Sequence, residues 1–255
     1  MQLAISQIGF AKADEPAVYA RMRRCGFAGL EGAPTRLAGE SDPYSHTDAA
    51  LAAKREAGFC IPSLQSIWYG QTGSLFCAAD APRLAVCTAR AAAFAAALGC
   101  PSLVFGCPKQ RVMAPGQTAR DALPFFARIA ADAFAKGTAV SLEANPPVYG
   151  TNFCNTSAEA FAFAREVEHL YVNYDVGTLL TNGESLTPLA DHLALVRHIH
   201  LSEPGLAPIE LRAVHKELAA LLRAGGYAGF VSVEMRAQPL TVVERVLEYT
   251  AEVFA

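Results

Sequence analysis

No part of this chain concentrates positive charge. Its 21 Lys and Arg residues stand against 24 Asp and Glu, for a formal net charge of -3, and the basic residues are scattered rather than grouped. Nucleic-acid affinity rests on basic side chains neutralising phosphates, so no nucleic-acid partner is expected. No apolar run reaches the ~20 residues that span a bilayer, so no membrane partner is expected either. The opening "MQLAISQIGF" lacks a basic stretch, an apolar segment and a cleavage site in series, and no secretion signal is read there. Cytoplasmic is therefore the expected location. The seven cysteines include no CxxC pair. An odd count in a chain this long does not read as a disulfide framework. Most read as small core residues, while Cys107 and Cys154 fall in loops considered below. A linker and low-complexity segments are also missing.

What is present is core material. Hydrophobic residues make up 52% of the 255-residue chain and charged residues 18%, the reverse of a disordered composition. Short β-rich runs alternate with longer Ala-rich stretches. The strand candidates are "LAISQIGF" (3–10), "GLEGA" (29–33), "IPSLQSIW" (61–68), "SLVFG" (102–106), "AVSLEAN" (139–145), "LYVNYDVG" (170–177), "VRHIHLS" (196–202) and "GFVSVEM" (229–235). Helices are predicted near 14–24, 46–57, 80–98, 117–136, 157–167, 187–193, 208–224 and 239–253, where apolar residues recur at helical spacing. Cap-like residues precede several of them and glycines follow, as at Gly58, Gly99 and Gly137. Strict alternation at this length predicts an α/β fold, a single (β/α)8 barrel over residues 1–255. The rival, an open doubly wound sheet, would normally carry a Gly-rich phosphate turn after its first strand, and "QIGFAKADEP" is not one.

In such a barrel the active site lies at the C-terminal mouth, so the residue that ends each strand matters most. Four successive strand candidates end on a polar side chain: Glu143, Asp175, His200 and Glu234. Neighbouring strands bring these together. Three carboxylates and an imidazole would repel or strain one another without a cation between them, because a buried charge needs a partner or a metal. Oxygen-rich ligation with a single His suits one divalent ion. Mn2+ or Mg2+ is favoured, since no thiolate competes, with Co2+ or Zn2+ still open.

The segments "SLEANP", "YDVGT", "HIHLSEP" and "VSVEM" resemble the xylose-isomerase-like barrels, which include sugar and sugar-phosphate isomerases and epimerases and are related to endonuclease IV. The resemblance follows the element order of nearly the whole chain. It implies that Glu143, Asp175, His200 and Glu234 bind the metal. It also implies that the two glutamates move protons through a metal-stabilised enediolate, which makes Glu143 and Glu234 the catalytic pair. One departure stands out. The epimerase branch usually has a His three residues after the metal Asp, and here Thr178 occupies that place. His198 shares a face with His200 but lies one layer deeper.

Candidates for substrate contact come from the other strands and loops. Glu31 and Gln65 suit sugar hydroxyls. Lys109 and Arg111 in "FGCPKQR" suit a phosphate or carboxylate. Asn145, Tyr149 and Asn152 follow Glu143, Thr178 follows Asp175, and Glu203 and Arg236 complete the rim. "SIWYGQTGSLF" (66–76) reads as a lid with an aromatic wall. The expected function is a metal-dependent isomerase or epimerase acting on a small-molecule carbohydrate: a sugar, sugar phosphate or related polyol. A lyase or dehydratase using the same site is the alternative among enzymes, and a non-catalytic carbohydrate-binding barrel the alternative outside them. The Ala-rich outer helices leave a homo-oligomer open.

Overall fold

The computed structural model describes residues 1–255. Seven parallel strands form a curled sheet: β1 (Gln2–Ser6), β2 (Gly29–Glu31), β3 (Ser102–Phe105), β4 (Ala139–Glu143), β5 (Leu170–Asp175), β6 (Val196–Ser202) and β7 (Phe230–Glu234). Their order is β2-β1-β7-β6-β5-β4-β3. The third of the eight predicted strands, 61–68, is not a regular strand. Residues 60–65 instead run between the two edges of the sheet. Leu30 N donates to Cys60 O at 2.9 Å and Gln65 N to Gly32 O at 3.0 Å on the β2 side. Leu64 N donates to Ser102 O at 2.9 Å and Val104 N to Leu64 O at 2.8 Å on the β3 side. Pro62 has no N–H to give to a ladder, and Ser66 at φ 56° turns the chain away, so only isolated bridges form here.

Helices cover the outside of the sheet. They include α1 (Glu15–Arg24), α2 (Pro34–Ala38), α3 (Thr47–Ala57), α4 (Ala81–Leu98), α5 (Leu123–Phe134), α6 (Ser157–Ala164), α7 (Val176–Asn182), α8 (Thr187–His192), α9 (Ala213–Ala224) and α10 (Leu240–Phe254). The short helices α2 and α7 stand where none was predicted. α4 has the length and composition of a membrane span, with a mean hydropathy of 1.2, but it buries Leu84, Ala91, Phe94, Ala95 and Leu98 in the core. Apolar strands covered on both faces are what a parallel sheet requires. Between sheet and helices Phe126 meets Phe105 at 5.0 Å, Phe163 at 5.1 Å and Phe153 at 5.8 Å, ring to ring. Such an aromatic costs about 3–5 kcal/mol to truncate.

The polar exceptions along the strands meet one another inside. Ser102 and Ser141 hydroxyls lie 2.8 Å apart, and above them the side chains become acidic. The ladder sets this up. Asp175 pairs with His200, Glu143 with Asn173 and Ser202 with Glu234, so the ends of β4 to β7 bring their polar side chains to one mouth. All seven cysteines are free, with Cys87, Cys100 and Cys154 buried but Cys60 and Cys77 exposed.

Candidate metal centre

Ligand-type atoms of Glu143, Asp175, His200 and Glu234 all lie within 4.8 Å of one another. His200 Nδ1 sits 3.0 Å from Glu143 Oε1 and 3.1 Å from Glu234 Oε2. Glu143 is held at both oxygens: Asn173 Nδ2 donates to Oε1 at 2.6 Å and Asn145 Nδ2 to Oε2 at 3.0 Å. Asp175 ends its strand and caps α7, accepting from Thr178 N at 2.8 Å and Gly177 N at 3.3 Å. Ser202 Oγ also donates to Asp175. Two glycines make room. A Cβ at Gly106 would lie 2.8 Å from Glu143 Oε2, and one at Gly177 would lie 2.7 Å from Ser202 Oγ.

The electrostatics show how crowded the carboxylates are. Burial opposes a charged His200, but Glu234 and Glu31 outweigh it and raise its imidazole well above the ordinary range. Burial pushes the Glu234 carboxyl up to about 7. Burial and then the charge of Glu143 raise Asp175. Burial would raise Glu143 as well, yet the hydrogen bond and charge of His200 bring it below its ordinary value. A group of three carboxylates that must borrow a proton to coexist is the chemistry a divalent cation relieves. The residues present therefore fit a single divalent ion.

A pocket of about 200 Å3 opens on this group, lined by Gln65, Ser66, Asn145, Tyr149, Cys107 and Leu206 beside the acids. Gln65 donates to Ser6 Oγ. Tyr149 Oη accepts from Gly205 N at 3.0 Å. Burial pushes the Cys107 thiol up to about 12, so it stays protonated.

Several residues expected to touch substrate lie elsewhere. Arg111 is fully buried. It donates to Glu143 O at 2.8 Å and to Asn145 Oδ1 at 2.6 Å, which fixes the amide that holds Glu143. Its guanidinium is thus used inside the wall rather than offered to a phosphate. Lys109 is exposed and is not among the pocket's lining residues. Glu31 is wholly buried and bound to two histidines, so it is not free for sugar hydroxyls. Thr178 Oγ1 lies 2.9 Å from both Asp175 Oδ2 and Ala144 O, and it braces the ligand loop. Glu203 is buried against Arg212 at 2.7 Å, because a buried carboxylate needs a partner. Arg236 is exposed. Asn152 holds the backbone of Met113. Trp68 is not a lid wall: its Nε1 donates to Thr88 Oγ1 at 2.9 Å and its ring packs on Phe105. Asn173 and Ser202 escaped notice in the sequence. Asn173 stands two residues before Asp175 in "YVNYD" and so shares its face, a signal that was available.

The sequence pattern of the xylose isomerase-like TIM barrel family matches residues 19–253. The chain belongs to that family. No curated protein matches it in sequence. Among solved structures of similar fold, a 3-keto-D-glucoside 4-epimerase from E. coli superposes with a TM-score of 0.77 at 19% identity, covering 99% of this chain and 98% of that one. A D-psicose 3-epimerase from Clostridium cellulolyticum H10, solved with D-tagatose, gives 0.78 at 15%, with coverages of 100% and 99%. A D-allulose 3-epimerase from Methylomonas sp. in complex with D-allulose gives 0.74 at 17%, with coverages of 99% and 95%.

Proposed function

We propose that this chain is a divalent-metal-dependent isomerase or epimerase of a small, uncharged sugar. The observation that carries the reading is the convergence of Glu143, Asp175, His200 and Glu234 on one point at the floor of a pocket. Those four residues would hold Mn2+ or Mg2+. When bound, the ion supplies positive charge against the negative charge that develops on a carbonyl oxygen as the neighbouring carbon loses its proton.

The chain's own residues supply the proton transfer. Glu143, with an amide donor on each oxygen, is fixed in place and ionised. Glu234 touches only His200 among the ligands; burial pushes it up to about 7 in the metal-free protein, and a bound cation would return it to the ionised form that can take a proton from carbon. Both glutamates lie against the same nitrogen of His200. One takes the carbon-bound proton and the other returns one. Gln65, Ser66 and Tyr149 are placed to meet hydroxyls.

Two features support an unphosphorylated substrate. No Lys or Arg lines the pocket, and a volume of about 200 Å3 is below that of a pocket for drug-sized ligands. That the fold is shared with epimerases solved with D-tagatose and D-allulose agrees with a free ketose. Incubating the Mn2+-loaded protein with a panel of ketoses and their phosphates in D2O tests the reading. Deuterium at the carbon beside the carbonyl, with isomer formed from the free sugar, is expected. Exchange with none of the panel would overturn the reading, and loss of water would point to elimination instead.

A further inference from the structure

Behind the ligand His200 lies a buried carboxylate that the proposed chemistry does not use. Glu31 ends β2, while His198 and His200 belong to β6, with β1 and β7 between them in the sheet. The Glu31 carboxylate reaches them through the interior. All three side chains are at most 1% exposed. Oε1 lies 2.9 Å from His200 Nε2 and Oε2 lies 3.1 Å from His198 Nε2. Ser63 Oγ stands 2.9 Å from the same His198 nitrogen.

An ionised carboxylate only accepts hydrogen bonds, so each facing imidazole nitrogen carries a proton. A neutral imidazole has one N–H. Spent at Nε2 of His200, it leaves a lone pair at Nδ1, and Nδ1 is the atom that faces Glu143 and Glu234. We infer that Glu31 is a positioning residue that holds His200 in its Nε2–H tautomer and presents the Nδ1 lone pair to the metal, with His198, itself against Ser63, fixing the other oxygen of Glu31. This rests on the metal reading of the site above. The donors of Glu31, His198 and His200 also lie within 4.8 Å of one another, but they are not a second metal site. Each oxygen of Glu31 already accepts an imidazole N–H, and freeing His200 Nε2 for a lower ion would remove the proton that defines its role toward the upper one. Burying a lone carboxylate is costly, and here the two N–H groups offset that cost.

Mg2+ and Mn2+ titrations of metal-free wild type and Glu31→Gln, read by calorimetry, test the inference, with thermal unfolding of both metal-free proteins measured alongside. Glu31→Gln keeps the shape but removes the charge behind the ligand. Its affinity, measured on folded protein, is expected to fall about 10–100-fold. Affinity within twofold of wild type would overturn the inference and leave the metal reading intact. Wild type that binds neither ion would overturn both. Should Glu31→Gln not fold, 15N-histidine spectra of wild type saturated with Mg2+ decide the matter. His200 protonated at Nε2 supports the inference, and protonation at Nδ1 contradicts it.

Discussion

The two glutamates at the mouth are chemically alike, and their surroundings are opposite. Glu143 stands against a built wall. Asn173 and Asn145 each give it a hydrogen bond, and Arg111 behind them grips both its backbone and the Asn145 amide. Glu234 has His200 and nothing comparable. The consequence appears in their acidity: His200 and the Asn145 amide hold Glu143 down, while burial sends Glu234 up to about 7. In the metal-free protein one carboxylate is held ionised by its neighbours, and the other is left able to change its protonation state. The difference comes from the loops. The segment after β4 folds back on itself and on Arg111, whereas the chain after β7 bonds through its backbone to Leu206 and Gly9 and gives Glu234 no side-chain donor.

The largest effect expected is on turnover. Glu143→Gln and Glu234→Gln each lower kcat by about 10^2–10^4-fold, measured on metal-loaded, folded protein. Equal, full activity in either would break the pairing of the two residues.

Next comes the wall itself. Arg111→Met leaves Glu143 O and Asn145 Oδ1 without their donor in a buried site and is expected to cost about 2–4 kcal/mol. Thermal unfolding reads this, and kcat is expected to fall with KM little changed. Arg111→Lys is not expected to rescue it, since one ammonium does not reproduce the fork.

The acidity contrast has a sign that can be checked. Glu234 binds its proton more tightly folded than unfolded, as does His200. The stability that Glu234 contributes to the metal-free protein is therefore present at low pH and lost as pH rises from the ordinary carboxyl range through about 7, whereas that of His200 is lost only above the ordinary imidazole range. Unfolding midpoints measured between pH 5 and 8 are expected to fall in the metal-free protein and to be restored by Mn2+. Glu234→Gln is expected to flatten the profile, and Glu143→Gln is not, because Glu143 is held on the ionised side.

Much of this was open to sequence reasoning. Glu143, Asp175, His200 and Glu234 announce themselves because a polar residue closing an apolar strand has few reasons to be there. The supporting layer was harder to read. Arg111 and Glu31 look in sequence like groups waiting for a ligand. Only the contacts show that their charges are already used inside the protein. The irregular segment 60–65 was misjudged for a local reason: its apolar residues suggest a strand, yet Pro62 and the turn at Ser66 deny it a ladder. Thr178 stands where a His is usual, and it braces Asp175 instead of facing the pocket.

The smallest effect is expected at Lys109. Exposed and outside the pocket, it is a surface cation, and Lys109→Ala is expected to change stability by less than about 0.5 kcal/mol and to leave kcat/KM for a neutral sugar unaltered. A large loss confined to phosphorylated substrates would reopen the question of charge on the substrate.

The central claim is tested most directly by metal stoichiometry, taken by elemental analysis after equilibration with Mn2+ and gel filtration. One ion per chain in wild type, and none in folded His200→Ala, is the result this account requires. Wild type without metal, or His200→Ala retaining a full equivalent, would contradict it.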